Sequence, residues 1–129
     1  MDKKVLRGRV IPGANRGKQL GFPTANLDIP SEALPRTGVY AVWARIEGEK
    51  LWRAAAASIG YNPTFAEQTK KIEVHLLGFS GELYGRVLEI APAAYLRPEK
   101  RYRSSASLIQ QMRRDCRRAQ KILDRAQSP

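Results

Sequence analysis

The sequence predicts a mostly β fold: five or six short antiparallel strands curled into a small barrel, followed by one long helix. Three observations carry this. Apolar residues up to about residue 96 recur at strand spacing, Gly- and Pro-rich connections break them into short segments, and beyond residue 104 the apolar period becomes helical. Closing the sheet on itself is the simplest way for so many short strands to remove exposed edges.

Residues 5–11 (VLRGRVI) alternate as a half-buried strand does, and 12–18 (PGANRGK) form a loop with two glycines. Pro23 lacks a helix donor and biases Phe22 to extended geometry, so 24–29 continue as a short strand. Pro30, Pro35 and Gly38 punctuate a loop over 30–38. From residue 39 the alternation is clean. Val39, Ala41 and Trp43 share one face, and Tyr40, Val42, Ala44 and Ile46 share the other. A turn at Gly48 returns the chain through 51–60, and Asn62-Pro63-Thr64 mark a loop over 61–71. Residues 72–79 and 84–96 supply two further strands, joined through Ser80-Gly81-Glu82. In 104–126 the apolar residues Leu108, Met112, Cys116, Ala119, Ile122 and Leu123 make one helical stripe, with Ser104 or Ser105 as N-cap.

At 129 residues the chain is the size of one domain, expected to span 1–129. Nothing in it reads as a membrane span or a secretory leader, and its one cysteine, Cys116, fits a reducing, cytoplasmic setting. The net charge of +11 is unevenly placed, since residues 97–125 hold ten Lys/Arg against three acids. Such a field attracts anions, or simply solvates a helix face. Aromatics are few (8%) and scattered, which argues against a single-strand nucleic-acid barrel, where exposed rings interleave with cations.

Thr24 and Asn26 stand two apart on a strand and so face the same way, opposite Ala25 and Leu27. A hydroxyl and a carboxamide side by side offer neutral oxygens to a hard cation such as Mg²⁺, which also binds substrate phosphates. Gly13, Gly17 and Gly21 allow backbone amides near an anion, and Lys18 and Arg16 would neutralise phosphate charge. The same pattern also fits a surface strand beside a glycine-rich loop. Glu73 lies on the face of its strand opposite Ile72, Val74 and Leu76, where a carboxylate suits a general base or a plain surface ion pair. His75, on Glu73's face, is the sole histidine, so with one cysteine it makes no zinc site.

Together, GANRGKQLGFPTANL (13–27), SIGYNPTF (58–65), IEVHLLGF (72–79), ELYG (82–85) and LRPEKRY (96–102), in this order and followed by a helix, closely resemble riboflavin kinase. In bacteria that module is usually the C-terminal half of a bifunctional FAD synthetase. The resemblance implies a six-stranded antiparallel Greek-key barrel with a long C-terminal helix. It implies transfer of the ATP γ-phosphoryl group to the ribityl 5′-hydroxyl of riboflavin, giving FMN and ADP. It makes Thr24 and Asn26 the Mg²⁺ ligands, with Zn²⁺ or Mn²⁺ as other metals, and Glu73 the base. For ATP it implies Gly13, Gly17, Lys18, Gly21, Phe22, Pro23, Thr24, Asn26, Asn62 and Tyr84. For the flavin it implies Arg97, Glu99, Tyr102, Leu108, Met112 and Asp115.

The chain departs from the pattern in carrying no HxGH-like nucleotidyltransferase segment, so FAD synthesis is not expected of it. Lys18 stands where the family commonly has Arg, and Arg103-Ser104 replaces the usual acidic residue before the helix. The expected partners are riboflavin/FMN and ATP/ADP, with no membrane and no nucleic acid. The expected state is a monomer, or a unit cut from a bifunctional FAD synthetase. Two other functions fit the composition: a flavin- or nucleotide-binding module without turnover, and a basic barrel that binds nucleic acid.

Overall fold

The computed structural model describes residues 4–13, 23–61 and 69–129. Its strands are β1 (Leu6–Ile11), β2 (Ala25–Asp28), β3 (Gly38–Ile46), β4 (Trp52–Tyr61), β5 (Lys70–Leu76) and β6 (Val87–Arg97), followed by helix α1 (Ser105–Asp124). Every pairing is antiparallel, and the barrel closes in the order β1-β2-β5-β4-β3-β6. Strands β3, β4 and β5 form a meander and β6 returns beside β3, which is a Greek key.

Alternation decides what fills the barrel. Val42, Ala44, Ala55, Ala57, Ile59, Ile72, Val74, Leu88 and Ile90 point inward and are almost wholly buried. The other face of β3 is buried too. Val39 and Ala41 join Leu96, Ala119 and Leu123 in a second apolar layer, with Trp43 packed against it, where α1 lies on the outside of the barrel. One mouth is plugged by the segment 29–37, which contains a single 3-10 turn at Ser31–Ala33. Lys70 ties it down: its amide donates to Ser31 Oγ and its ammonium to the carbonyls of Leu34 and Pro35. Residues 77–86 cross the opposite mouth.

The largest departures from the expected boundaries are in β5 and β6. β5 begins at Lys70 and ends at Leu76, before Gly78 at φ +67° turns the chain. β6 starts at Val87 rather than residue 84, because Gly85 at φ +79° belongs to a turn. The helix does take Ser104 as its cap, with Oγ accepting from the Ser107 amide. Its stripe is rotated, however: Asp115, Ala119 and Leu123 are buried, whereas Cys116 is only half-buried. The cause is Arg97, at the end of β6, whose charge draws Asp115 inward. Among the described residues no helix is long and apolar enough to cross a membrane.

Candidate active site

One row of side chains on the outer face of the barrel organises the site. Asn26 pairs with Glu73, Glu73 with Ser58, Ser58 with Val39 and Val39 with Arg97. Directly paired residues point to the same side, with Cβ atoms about 5 Å apart. Arg97 and Glu73 are therefore three strand spacings apart, about 14 Å. Arg97 joins this face through an irregularity in the β3–β6 register at Val39/Tyr40, which turns both Leu96 and Arg97 toward the helix.

At one end of the row stand Thr24, Asn26 and Glu73. Ala25 and Leu27 are buried in the core, so Thr24 and Asn26 face outward, as their spacing requires. The Thr24 side chain stands beside the Glu73 carboxylate. Burial nevertheless holds the Glu73 carboxyl above its ordinary pKa, with the Thr24 hydrogen bond pulling the other way. His75, two residues along, has Nδ1 2.7 Å from the carbonyl oxygen of Pro23, which pins the proline corner to β5. Gly13 lies so close to Asn26 that a Cβ there would overlap the carboxamide. This hydroxyl–carboxamide pair fits a hard cation that takes its remaining ligands from phosphate and water. Among the described residues no cluster of three or more His, Cys, Asp or Glu offers a carboxylate or thiolate cage.

Beside Thr24 a cavity of about 270 Å³ opens at the barrel mouth. Its floor is Val10, Ala25, Val74 and Leu76, and its wall is the loop from Phe79 to Tyr84. Glu82 shapes that loop by accepting from the amides of Leu83 and Tyr84. Pro23 and Tyr84, both expected at the nucleotide, line this cavity.

At the other end of the row is the connector to α1. Arg97 makes a fork with Asp115, Nε to Oδ1 at 2.9 Å and Nη2 to Oδ2 at 2.7 Å, and its Nη1 donates to the Pro98 carbonyl. Gln111 adds a third bond to Asp115. Arg97 and Asp115 thus hold the connector and the helix to the barrel. Glu99 lies over Gly60, in the space that a side chain there would fill. Gly60 is two residues from Ser58, so the connector reaches the floor beside Glu73. Tyr102 has its ring 5.9 Å from the Arg97 guanidinium, and its hydroxyl is buried without a hydrogen-bond partner among the described residues. Burial raises its pKa, with the Arg97 charge pulling the other way. Leu108 and Met112 are half-buried on the helix.

Arg16, Gly17, Lys18, Gly21, Phe22 and Asn62 lie outside the described residues. Sequence reasoning missed Ser58, Phe79, Leu83 and Gln111. Ser58 could have been found only from the β4–β5 register, but Phe79 and Leu83 flank a glycine turn and read as loop-borne apolar residues in the sequence itself.

A family model described as riboflavin kinase matches residues 2–123. A bifunctional riboflavin kinase/FMN adenylyltransferase of Listeria monocytogenes is 43% identical over 111 residues, covering 84% of this chain and 35% of that protein. The chain thus spans about a third of that relative. Riboflavin kinase of Mus musculus is 38% identical over 126 residues, covering 92% of this chain and 79% of the mouse protein. The crystal structure of riboflavin kinase from Trypanosoma brucei superposes with a TM-score of 0.72 at 26% identity, over 97% of this chain and 83% of that one.

Proposed function

The chain belongs to the riboflavin kinase family, and on that premise we propose that it transfers the γ-phosphoryl group of ATP to the ribityl 5′-hydroxyl of riboflavin. The products are FMN and ADP. The observation that carries this reading is the meeting of Thr24, Asn26 and Glu73 across β2 and β5, beside an apolar cavity.

In this reading the cavity takes the adenine end of ATP, and the phosphates run past Thr24 and Asn26. A hydroxyl carries one donor and two lone pairs. Thr24 can therefore donate to Glu73 and still turn oxygen toward a metal, while Asn26 offers its carboxamide oxygen. Neutral ligands add no repulsion to a triphosphate. Thr24 and Asn26 would hold Mg²⁺, which would supply charge neutralisation at the phosphates, the main electrostatic demand of phosphoryl transfer. Glu73 takes the proton of the ribityl hydroxyl as that oxygen bonds to the γ-phosphorus and the bond to the ADP oxygen breaks. A raised pKa suits a group that must accept a proton.

The flavin ring then lies along the row from Glu73 toward the connector, over Ser58 and against Glu99 and Tyr102. Leu108 and Met112 approach it from α1. Arg97 and Asp115 serve this side by fixing the connector in place. We read the protein as a cytoplasmic monomer using ATP and riboflavin.

The test is a mixture of protein, riboflavin, Mg²⁺ and ATP, assayed for FMN by chromatography. FMN formed in proportion to enzyme supports the reading. Flavin retained without turnover would instead favour a binding module, and salt-sensitive binding to a random oligonucleotide without FMN would favour a basic nucleic-acid barrel.

A further inference from the structure

The wall of the nucleotide cavity is braced by a residue that does not line it. Arg53 on β4 pairs with Ala44 of β3 and shares the parity of Ala55, Ala57 and Ile59, all inward-facing. Its side chain accordingly turns into the mouth that residues 77–86 cross. There the guanidinium carbon stands 4.9 Å from the centroid of the Phe79 ring, and Nη2 lies 3.7 Å from Glu49 Oε1. Gly81, at φ +146°, sits against the same ring: a Cβ on it would come within 3.2 Å of Phe79 Cζ. Arg53, Phe79 and Gly81 thus form a stack from the barrel wall to the loop. Phe79 through Tyr84 are the residues the loop contributes to the cavity.

Arg53 Nε is buried with no hydrogen-bond partner among the described residues. The ion pair of Arg53 with Glu49 is long at 3.7 Å, so the Phe79 ring is the close contact that places this guanidinium. Stacking on a ring needs no acceptor, and a guanidinium over an aromatic face is attractive, more so when partly desolvated.

We propose that Arg53 is the positioning residue of the nucleotide cavity: its guanidinium, stacked on Phe79, sets where the 79–84 loop stands and thereby sets the affinity for ATP without touching it. The proposal rests on the reading of this cavity as the ATP site. Neither Glu73 nor the flavin-side connector touches the stack, so its effect is confined to one substrate.

The experiment compares wild type, Arg53→Ala, Arg53→Lys, Phe79→Leu and the double variant Arg53→Ala/Phe79→Leu. Mg²⁺–ATP binding is measured by calorimetry without riboflavin, and steady-state kinetics are measured in both substrates. Arg53→Ala is expected to raise the ATP Kd and KM about 3- to 10-fold, with kcat and the riboflavin KM within about twofold. Arg53→Lys recovers most of the loss, because an ammonium also sits over a ring. The double variant binds ATP no worse than Phe79→Leu alone, because the two residues act through one contact. An unchanged ATP KM in Arg53→Ala overturns the proposal and leaves the cavity reading intact. So does an equal rise in both KM values with a lowered Tm, the signature of a general structural role. A wild-type chain that neither binds nor consumes ATP overturns both. Should Arg53→Ala fail to fold, Arg53→Lys and Arg53→Met carry the same comparison.

Discussion

Asn26 and Glu73 are cross-strand partners between β2 and β5, and Ser58 of β4 is Glu73's partner on its other side. The candidate base is thus held between a carboxamide and a hydroxyl by backbone pairing alone, before any side-chain bond forms. A site carried on paired strands keeps its geometry better than one carried on loops.

Glu73→Gln tests the base. The amide keeps the shape and accepts from Thr24 but takes no proton. The turnover number is expected to fall about 10²- to 10⁴-fold, with riboflavin and Mg²⁺–ATP affinities little changed. A variant with near-normal kcat would remove Glu73 from the role.

The same substitution has an opposite effect on stability. Burial raises the folded pKa of Glu73 above its unfolded value, so the folded chain binds this proton more tightly. The stability from that preference is complete below the unfolded carboxylate value, about 4.3, and is lost as pH rises through the folded value. Above that window Glu73→Gln, having no charge to desolvate, should melt higher than wild type. The gap should close as pH falls toward 4. Thermal melts from pH 4 to 8, without metal or nucleotide, read this directly, and a variant melting lower at pH 7 would contradict it.

Thr24→Ala, Asn26→Ala and Gly13→Ala approach the metal from three sides. The first two each remove an oxygen proposed as a metal ligand, and the third pushes a methyl into the Asn26 carboxamide. All three should weaken nucleotide binding with Mg²⁺ present and change it little with EDTA. Calorimetric titrations with and without the metal separate the two conditions, and equal losses in both would argue against metal ligation.

Asp115→Ala should destabilise the fold and loosen the flavin side. It strips Arg97 of both carboxylate contacts and leaves a guanidinium unpaired at the base of the helix, with Gln111 also losing its acceptor. A loss of about 2–3 kcal/mol is expected, seen as a lower denaturant midpoint. Riboflavin KM should rise more than ATP KM, because the connector and α1 belong to the proposed flavin side.

Cys116 should be an unreactive thiol. Burial, with the nearby Asp115 charge adding to it, pushes its pKa up to about 11. From the thiolate fraction alone its reaction with iodoacetamide at pH 7.5 should be about a hundredfold slower than that of a free thiol. Addition of guanidinium should restore the normal rate, and fast labelling of the folded chain would contradict the burial.

Local periodicity determined much of this protein. Which face of β3 meets the core and which the helix was not legible from the sequence, but its two alternating faces were. So were the outward orientation of Thr24, Asn26 and Glu73 and the Ser104 cap, because each depends only on residues a few positions apart. Pairing across long separations was not legible. Nothing local says that Asn26 meets Glu73 47 positions later, or that Ser58 lies beside it, since register is a property of two strands and not of either one. The same holds for Asp115: the apolar stripe favours Cys116, and only Arg97, brought under the helix by β6, makes a buried carboxylate the better neighbour. Arg53 reads as an ordinary strand cation until the loop over the barrel mouth lays Phe79 against it. Tertiary structure decided these cases because each depends on a strand partner, a charge or a ring contributed by a distant part of the chain.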